Sequence, residues 1–363
     1  MSSPKLKVAI VGLGRMGSRH ALHFHHLTPR AELVAVCSPN PSELAWATES
    51  LQGIRTYLDY DHMLREETDL QAVVVSSSTT VHAEHAIKAI QLGLHVLCEK
   101  PLSTSIETSQ SVLIAYHHSL EKHPNQKVLC GFSRRFDPSY RDAYQKLQLG
   151  LIGRPSVFRS QTCDKLDPTG FSIEYAQSSG GIFVDYSIHD IDLALWFFGE
   201  NSVLKSVSAV GISAISPEIE RYNDRDNALG IVEFYGGKIA QLFCSRMTAA
   251  GQEDTTEITG TRGKLAINTQ PQTNLLQIHD STGIRREVAP HYYARFRDAF
   301  IAEANEFTTC CLDNTKMPFP LESAVKALEI ALALQESMLT GKKIDFDQNG
   351  HRVASGDRLT AKL

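Results

Sequence analysis

Short runs that are apolar at nearly every position recur through the first third of the chain. Lys7-Val8-Ala9-Ile10-Val11, Glu32-Leu33-Val34-Ala35-Val36, Ala72-Val73-Val74-Val75 and Leu94-His95-Val96-Leu97 are the clearest. Continuous apolar runs of this length, without alternation, are the pattern of strands buried on both faces. Helical stretches separate them, one from Ser18 to about Leu27 and another opening at Thr80-Val81-His82. Strand alternating with helix predicts a doubly wound α/β domain on a parallel sheet.

From about Lys127 the texture changes. Val128–Phe132 reads as a strand and Ser139–Leu149 as a helix. Longer strands then dominate, at 155–162, 203–212, 228–235, 238–247, 255–260, 263–268 and 274–279. Tyr235-Gly236-Gly237-Lys238 reads as a hairpin turn. Strands joined by turns predict a mostly antiparallel open sheet in an α+β second domain. An exception lies inside this region: Gly180-Gly181 opens a helix running to about Trp196. Two more helices, Phe296–Cys311 and the apolar Leu321–Leu339, close the pattern.

Composition narrows the classes. The chain has 363 residues, of which 42% are hydrophobic and 21% charged, with a formal net charge of −5. That balance suits two globular domains. It gives no basic face for nucleic acid, and no apolar stretch reaches the roughly 20 residues that span a bilayer. The seven cysteines are scattered, with no Cys-x-x-Cys pair, the usage of a reducing, cytoplasmic compartment. The chain ends Ala361-Lys362-Leu363, a variant of the Ser-Lys-Leu peroxisomal address, against which stands the bland reading of an ordinary tail. His20, His23, His25 and His26 gather on the first helix without ligand partners at metal spacing, so no metal is expected.

The first buried strand runs straight into Gly12-Leu13-Gly14-Arg15-Met16-Gly17, and a helix follows. Strand, G-x-G-x-x-G and helix in that order form the dinucleotide fingerprint. Gly12 permits the tight turn, Gly14 the approach of a pyrophosphate, and Gly17 close packing of the helix. Arg15 and Met16 sit in the same turn. About 20 residues on, a carboxylate normally binds the ribose 2′-OH. Here Cys37-Ser38-Pro39-Asn40 offers only Ser38. Nothing in that stretch repels a 2′-phosphate, so NAD and NADP both stay open. Ser77, Thr79 and His82, at the exit of the third buried strand, are candidate cofactor contacts, and turn or cap roles suit the hydroxyls equally. The expected division is a dinucleotide-binding domain at 1–127, a substrate and oligomerisation domain at 128–345 and a tail at 346–363.

Two further motifs carry candidate chemistry. Glu99-Lys100-Pro101 leaves the buried strand at Leu94–Leu97 and places two charges at the ligand edge of the sheet. Asp185 and His189 are four residues apart on the helix after Gly180-Gly181, so an ideal helix sets them on one face. A carboxylate one turn from an imidazole suits a general base. An N-cap role for Asp185 and a half-buried structural role for His189 are the alternatives.

Taken in order, the glycine turn, Glu99-Lys100-Pro101, Gly131-Phe132 with Arg134-Arg135-Phe136-Asp137, and Gly180-Gly181 with Asp185, His189 and Asp190 resemble the glucose–fructose oxidoreductase/inositol dehydrogenase family. The resemblance extends to about Leu339. It implies a Rossmann domain, a second domain with an open antiparallel sheet, and nicotinamide-dependent oxidation of a sugar or cyclitol hydroxyl. The family's catalytic lysine, acid and histidine fall on Lys100, Asp185 and His189. Substrate contacts fall on Arg134 and, more loosely, Asp164. Glu99 joins the cofactor-binding set. Ser38 departs from the Asp of many members. Reduction of a non-sugar carbonyl, imine or enone on the same scaffold, and a silent nucleotide-binding regulator, are the rival readings. Wide sheet faces are rarely left bare, so a homodimer or homotetramer is expected.

Overall fold

The computed structural model describes residues 4–353. The chain divides into two units, Met1–Pro138 with Phe296–Leu328, and Ser139–Arg295 with Glu329–Leu363.

The first unit is built on β1 (Leu6–Val11), β2 (Ala31–Cys37), β3 (Arg55–Tyr57), β4 (Ala72–Val75), β5 (His95–Glu99) and β6 (Val128–Gly131). They form one sheet in the order β3-β2-β1-β4-β5-β6, parallel at every pairing. Between them run α1 (Gly17–Leu22), α2 (Pro41–Ser50), α3 (Tyr60–Glu66), α4 (His82–Gln91) and α5 (Ile106–Leu120). All four residues of β4 are buried. Branched side chains suit such a strand, covered by helices on both faces. Helix starts follow local chemistry: Asn40, Asp59 and Ser105 each accept a backbone N–H as the N-cap of α2, α3 and α5. The strand order reverses between β1 and β4, and ligands bind at the carboxyl ends of strands at such a switch point.

The sheet runs one strand past the expected boundary at 127. Val128–Gly131 pairs in parallel with β5, Glu99 opposite Gly131, and its four residues are buried. The first unit therefore extends to Pro138 and takes back Phe296–Leu328. The change of texture near Lys127 marks the next element, not the domain edge.

The second unit follows with α6 (Pro138–Gln148), β7 (Pro155–Lys165), α7 (Phe171–Ser179), α8 (Ile188–Phe198), β8 (Leu204–Ile212), β9 (Asn227–Phe234), β10 (Lys238–Thr248), β11 (Thr255–Gly260) and β12 (Lys264–Ile267). A small ribbon, β13 (Ile278–Asp280) with β14 (Gly283–Arg285), is followed by α9 (Tyr292–Leu312) and α10 (Glu322–Thr340), which from Phe296 to Leu328 belong to the first unit, and then by β15 (Ile344–Asp345). The sheet order is β12-β11-β7-β10-β9-β8-β15. Every pairing is antiparallel except β7 with β10. Helix α8 packs on β7 and β10. Burial alternates along β9, where Ala228, Val232 and Phe234 are buried while Leu229 and Ile231 are exposed. Val210, Ile212 and Ile239 are exposed as well. One face of this sheet is thus core, and the other is open and apolar.

All seven cysteines are buried, unbridged thiols. Among the described residues no helix is long and apolar enough to cross a membrane. Ala361-Lys362-Leu363 lies outside the described residues.

Candidate active site

The glycine turn after β1 is shaped by contacts that exclude side chains. Gly12 has φ +86°, and a Cβ there would lie 2.4 Å from Ser77 Cα. A Cβ on Gly17 would lie 1.8 Å from the Gly12 carbonyl oxygen. Any larger residue would push the turn off β4 or the helix off the turn. Gly14 is different: a Cβ there would meet only Glu43 Oε1, at 3.9 Å. The backbone at the second glycine is therefore open, as close approach of a pyrophosphate requires, and the turn fits a dinucleotide. Arg15 is exposed and Met16 half-buried on the same turn. At the end of β2, Ser38 is buried. Its Oγ donates to Glu43 Oε2 at 2.6 Å and accepts from the Asn40 amide at 3.1 Å.

At the exit of β4, Ser76 Oγ donates to the Gly12 carbonyl at 3.0 Å and so ties this exit to the glycine turn. Ser77 Oγ lies 3.0 Å from His85 Nδ1. Thr79 opens a short 3-10 turn and is half-buried. His82 joins two loops. It is buried, with Nε2 at 2.9 Å from the Ser77 carbonyl and Nδ1 at 2.9 Å from the Pro101 carbonyl. Both ring nitrogens thus join the exits of β4 and β5.

At the exit of β5, the Glu99 carboxylate is buried and meets His20 Nε2 at 2.7 Å. Its other oxygen accepts from the Lys100 amide at 3.2 Å. Burial works to raise the Glu99 pKa, and the bond and charge of His20 outweigh it, holding the carboxyl below its ordinary range. Glu99 is thus a buried partner of His20 on α1. His23, beside His20, is pushed down to about 3, chiefly by burial. Lys100 is half-buried at the carboxyl edge of the sheet, and the Lys100–Pro101 peptide is cis. On the neighbouring strand the exit of β6 is a 3-10 turn, Ser133–Phe136. It carries Arg134, 3% exposed, with its guanidinium 5.0 Å from the Phe296 ring centroid. Arg134 therefore belongs to the first unit and stands at the same sheet edge as Lys100.

In the second unit, the helix expected after Gly181 is not regular. A π turn, Phe183–Ser187, precedes α8. Asp185 lies in the wide turn and His189 in the first turn of α8. The entry to the turn is held from outside. Asp224 Oδ1 accepts from the Ile182 amide at 2.7 Å, and Gln335 Oε1 from the Phe183 amide at 3.5 Å. A Cβ on Gly181 would strike the Gln335 amide at 2.2 Å. His189 is half-buried, with Nδ1 turned inward.

Buried charge surrounds this turn. Arg246 on β10 donates to Asp224 at 2.9 Å and reaches Asp185 at 3.9 Å. Its guanidinium carbon is 4.9 Å from the Tyr186 ring centroid. Burial works against the Arg246 charge, and the Asp224 carboxylate leads the groups that overcome it. Burial also lifts Asp224 above the ordinary carboxylate range, against the pull of Arg246. Asp164, near the end of β7, accepts from Gln252 Nε2 at 2.7 Å. It also hydrogen-bonds Tyr186, whose phenol is raised first by burial and then by the Asp164 charge. Asp190 is fully buried and accepts from Ser160 Oγ at 2.7 Å and Thr162 Oγ1 at 2.6 Å. It clasps α8 to β7 one residue after His189.

The unit thus brings Asp164 and Asp185 into one network with three groups that sequence reasoning missed: Tyr186, Asp224 and Arg246. The available signal was faint. Arg246 is a charge at a buried position of a strand, and Asp224 stands in a loop without a motif.

The family described as "Oxidoreductase family, NAD-binding Rossmann fold" matches residues 6–121, and "GFO/IDH/MocA C-terminal domain" matches residues 140–266. The scyllo-inositol 2-dehydrogenase (NAD(+)) of Bacillus subtilis is 32% identical over 94% of this chain and 97% of its own length. The myo-inositol 2-dehydrogenase of Thermotoga maritima is 27% identical over 94% and 99%. Among solved structures, scyllo-inositol dehydrogenase from Lactobacillus casei with bound NAD(H) and scyllo-inositol superposes with a TM-score of 0.87. It is 32% identical, covering 94% of this chain and 99% of that one.

Proposed function

Because the chain belongs to the GFO/IDH/MocA oxidoreductases with an NAD-binding Rossmann fold, we propose that it oxidises a ring hydroxyl of an inositol to the ketone, reversibly. The observation that carries this reading lies within the first unit: an open glycine turn fitted to a dinucleotide, with Lys100 at the same carboxyl edge of the sheet.

Gly12, Gly14, Arg15, Met16 and Gly17 hold the dinucleotide, with Ser77 and Thr79 beside them. Bound NAD supplies the hydride acceptor. The chain's own part is to place the hydroxyl and move its proton. His189 takes that proton at Nε2, since Nδ1 is the buried nitrogen. Lys100 Nζ donates a hydrogen bond to the oxygen as it gains negative character. Asp185, held near Arg246, orients the imidazole or a neighbouring hydroxyl, and Asp164 and Arg134 are substrate contacts. The fixed charges under the π turn spare reorganisation during the reaction, which is where such sites gain most.

Association of copies through the apolar open face of the second unit's sheet belongs to the same proposal. Val210, Leu229 and Ile231 are 64%, 44% and 55% exposed, more apolar surface than a lone sheet keeps in water.

The test is turnover of scyllo-inositol, myo-inositol, aldoses and cyclic diols with NAD and NADP, followed by the absorbance of the reduced nicotinamide. Turnover of an inositol is the expected result. Cofactor binding without turnover of any polyol would sink the substrate class.

A further inference from the structure

We propose that Glu43, and not the residue at the end of β2, reads the adenosine ribose and gives this chain a preference for NAD over NADP. The proposal rests on the dehydrogenase reading above and adds the group that sets its cofactor.

In a NAD-binding Rossmann domain a carboxylate at the end of the second strand accepts from the ribose 2′-OH. Here that position is Ser38, and its side chain is occupied. A hydroxyl has one proton to give, and Ser38 gives it to Glu43 Oε2 at 2.6 Å. Its oxygen also receives the Asn40 amide at 3.1 Å. Ser38 is 1% exposed, so it is a tether for Glu43 and not a free donor for a 2′-phosphate.

Glu43 completes the geometry. Asn40 caps α2, and Pro41 fixes its first residue, which sets Glu43 in the first turn beside the glycine loop. One carboxylate oxygen is held by Ser38. The other, Oε1, stands 3.9 Å from the position of a Cβ on Gly14, over the open part of the turn. The acid missing from position 38 is therefore supplied five residues later and carried back by a hydrogen bond. A tethered carboxylate accepts from a ribose hydroxyl at little entropic cost. The same carboxylate against a 2′-phosphate sets like charges together. Arg15, exposed on the same turn, would favour the phosphate, so the two side chains make opposite demands.

The experiment is calorimetric titration of NADH and NADPH, without polyol, into the wild type, Glu43→Gln and the double variant Glu43→Gln with Ser38→Asp. The thermal midpoint of each free protein serves as a check on folding. Charged hydrogen bonds are worth about 10- to 100-fold in affinity. The wild type should bind NADH tighter than NADPH by at least about tenfold. Glu43→Gln should weaken NADH and narrow the ratio by about tenfold or more. Ser38→Asp on that background should restore the preference. A wild type that binds NADPH as tightly as NADH would overturn the proposal. So would a ratio unmoved in Glu43→Gln with NADH binding retained. If neither dinucleotide binds the wild type, the dehydrogenase reading falls first and this proposal with it.

Discussion

In the first unit the polar groups of interest hang on short loops beyond apolar strands, whereas in the second they sit on one turn and helix braced by buried charge. The glycine turn, Ser77 and Lys100 follow β1, β4 and β5, whose fully buried positions carry no acid or base except Glu99, paired with His20. Around His189 the opposite holds: Asp190 is buried under α8, and Asp224 and Arg246 are buried beside the π turn. The first arrangement lets a ligand approach bare backbone. The second fixes side chains in place, at the cost of desolvating several charges. The contrast teaches that the two units are vulnerable to different substitutions.

The sharpest way to break the comparison is to remove the proposed chemistry from each side in turn. His189→Ala and Lys100→Met should each lower kcat by about 10²- to 10⁴-fold, with NADH affinity within a few-fold of wild type. Steady-state kinetics and titration check this pair together. Near-normal turnover in either variant would remove that residue from the mechanism.

Next in size is the brace itself. Asp224→Ala strips Arg246 of its 2.9 Å partner and frees the Ile182 amide. Breaking one side of a buried pair costs about 3–5 kcal/mol, so chemical denaturation should show a loss of that order in the second unit. Asp224→Ala unfolding at the wild-type midpoint would show that the brace is ornamental to stability. A charge on the open face acts on assembly instead: Ile231→Glu should turn a sedimenting dimer or tetramer into monomer while each unit keeps its far-UV signal. A wild type already monomeric at micromolar concentration would contradict the association proposal.

The smallest effect lies in the first unit. Glu303 on α9 is fully buried, and neither carboxylate oxygen has a hydrogen-bond partner among the described residues. Burial, with the nearby Glu99 charge, pushes its pKa well above the ordinary range. The folded state therefore keeps a proton that the unfolded chain releases once pH passes its ordinary carboxyl value. Folding is penalised progressively above that point, by roughly 1.4 kcal/mol per pH unit, until the folded pKa is reached. Glu303→Gln cannot ionise. Its stability relative to wild type should rise from pH 5 to pH 8, and a difference that stays flat in thermal melts would refute the assignment.

Legibility differed between the units for physical reasons. A glycine at 12 or 17 is demanded by contacts of a few residues' span, so G-x-G-x-x-G announces its own geometry. Continuous apolar runs likewise announce buried parallel strands. The clasp of Asp190 joins residues 30 and 28 positions apart, and Asp224 meets Arg246 across 22, with no periodicity to betray either. The π turn escaped because spacing of four residues presumes a regular helix. The part proposed for Glu43 has no motif, because its carboxylate lies on α2 and reaches the glycine turn only through the Ser38 hydrogen bond. The helix pattern beyond Phe296 was legible as helix, but its allegiance to the first unit depends on contacts made far away in sequence.

The seven thiols offer one more consequence. Five of them, Cys37, Cys98, Cys130, Cys310 and Cys311, fall in the first unit, and Cys163 and Cys244 in the second. Burial pushes Cys98, Cys163 and Cys244 away from the thiolate form, so a labelling reagent finds them only when the surrounding structure opens. Each thiol then works as an internal clock. Mass spectrometry of labelled peptides over time would read the opening rate of each unit separately, in one untouched protein.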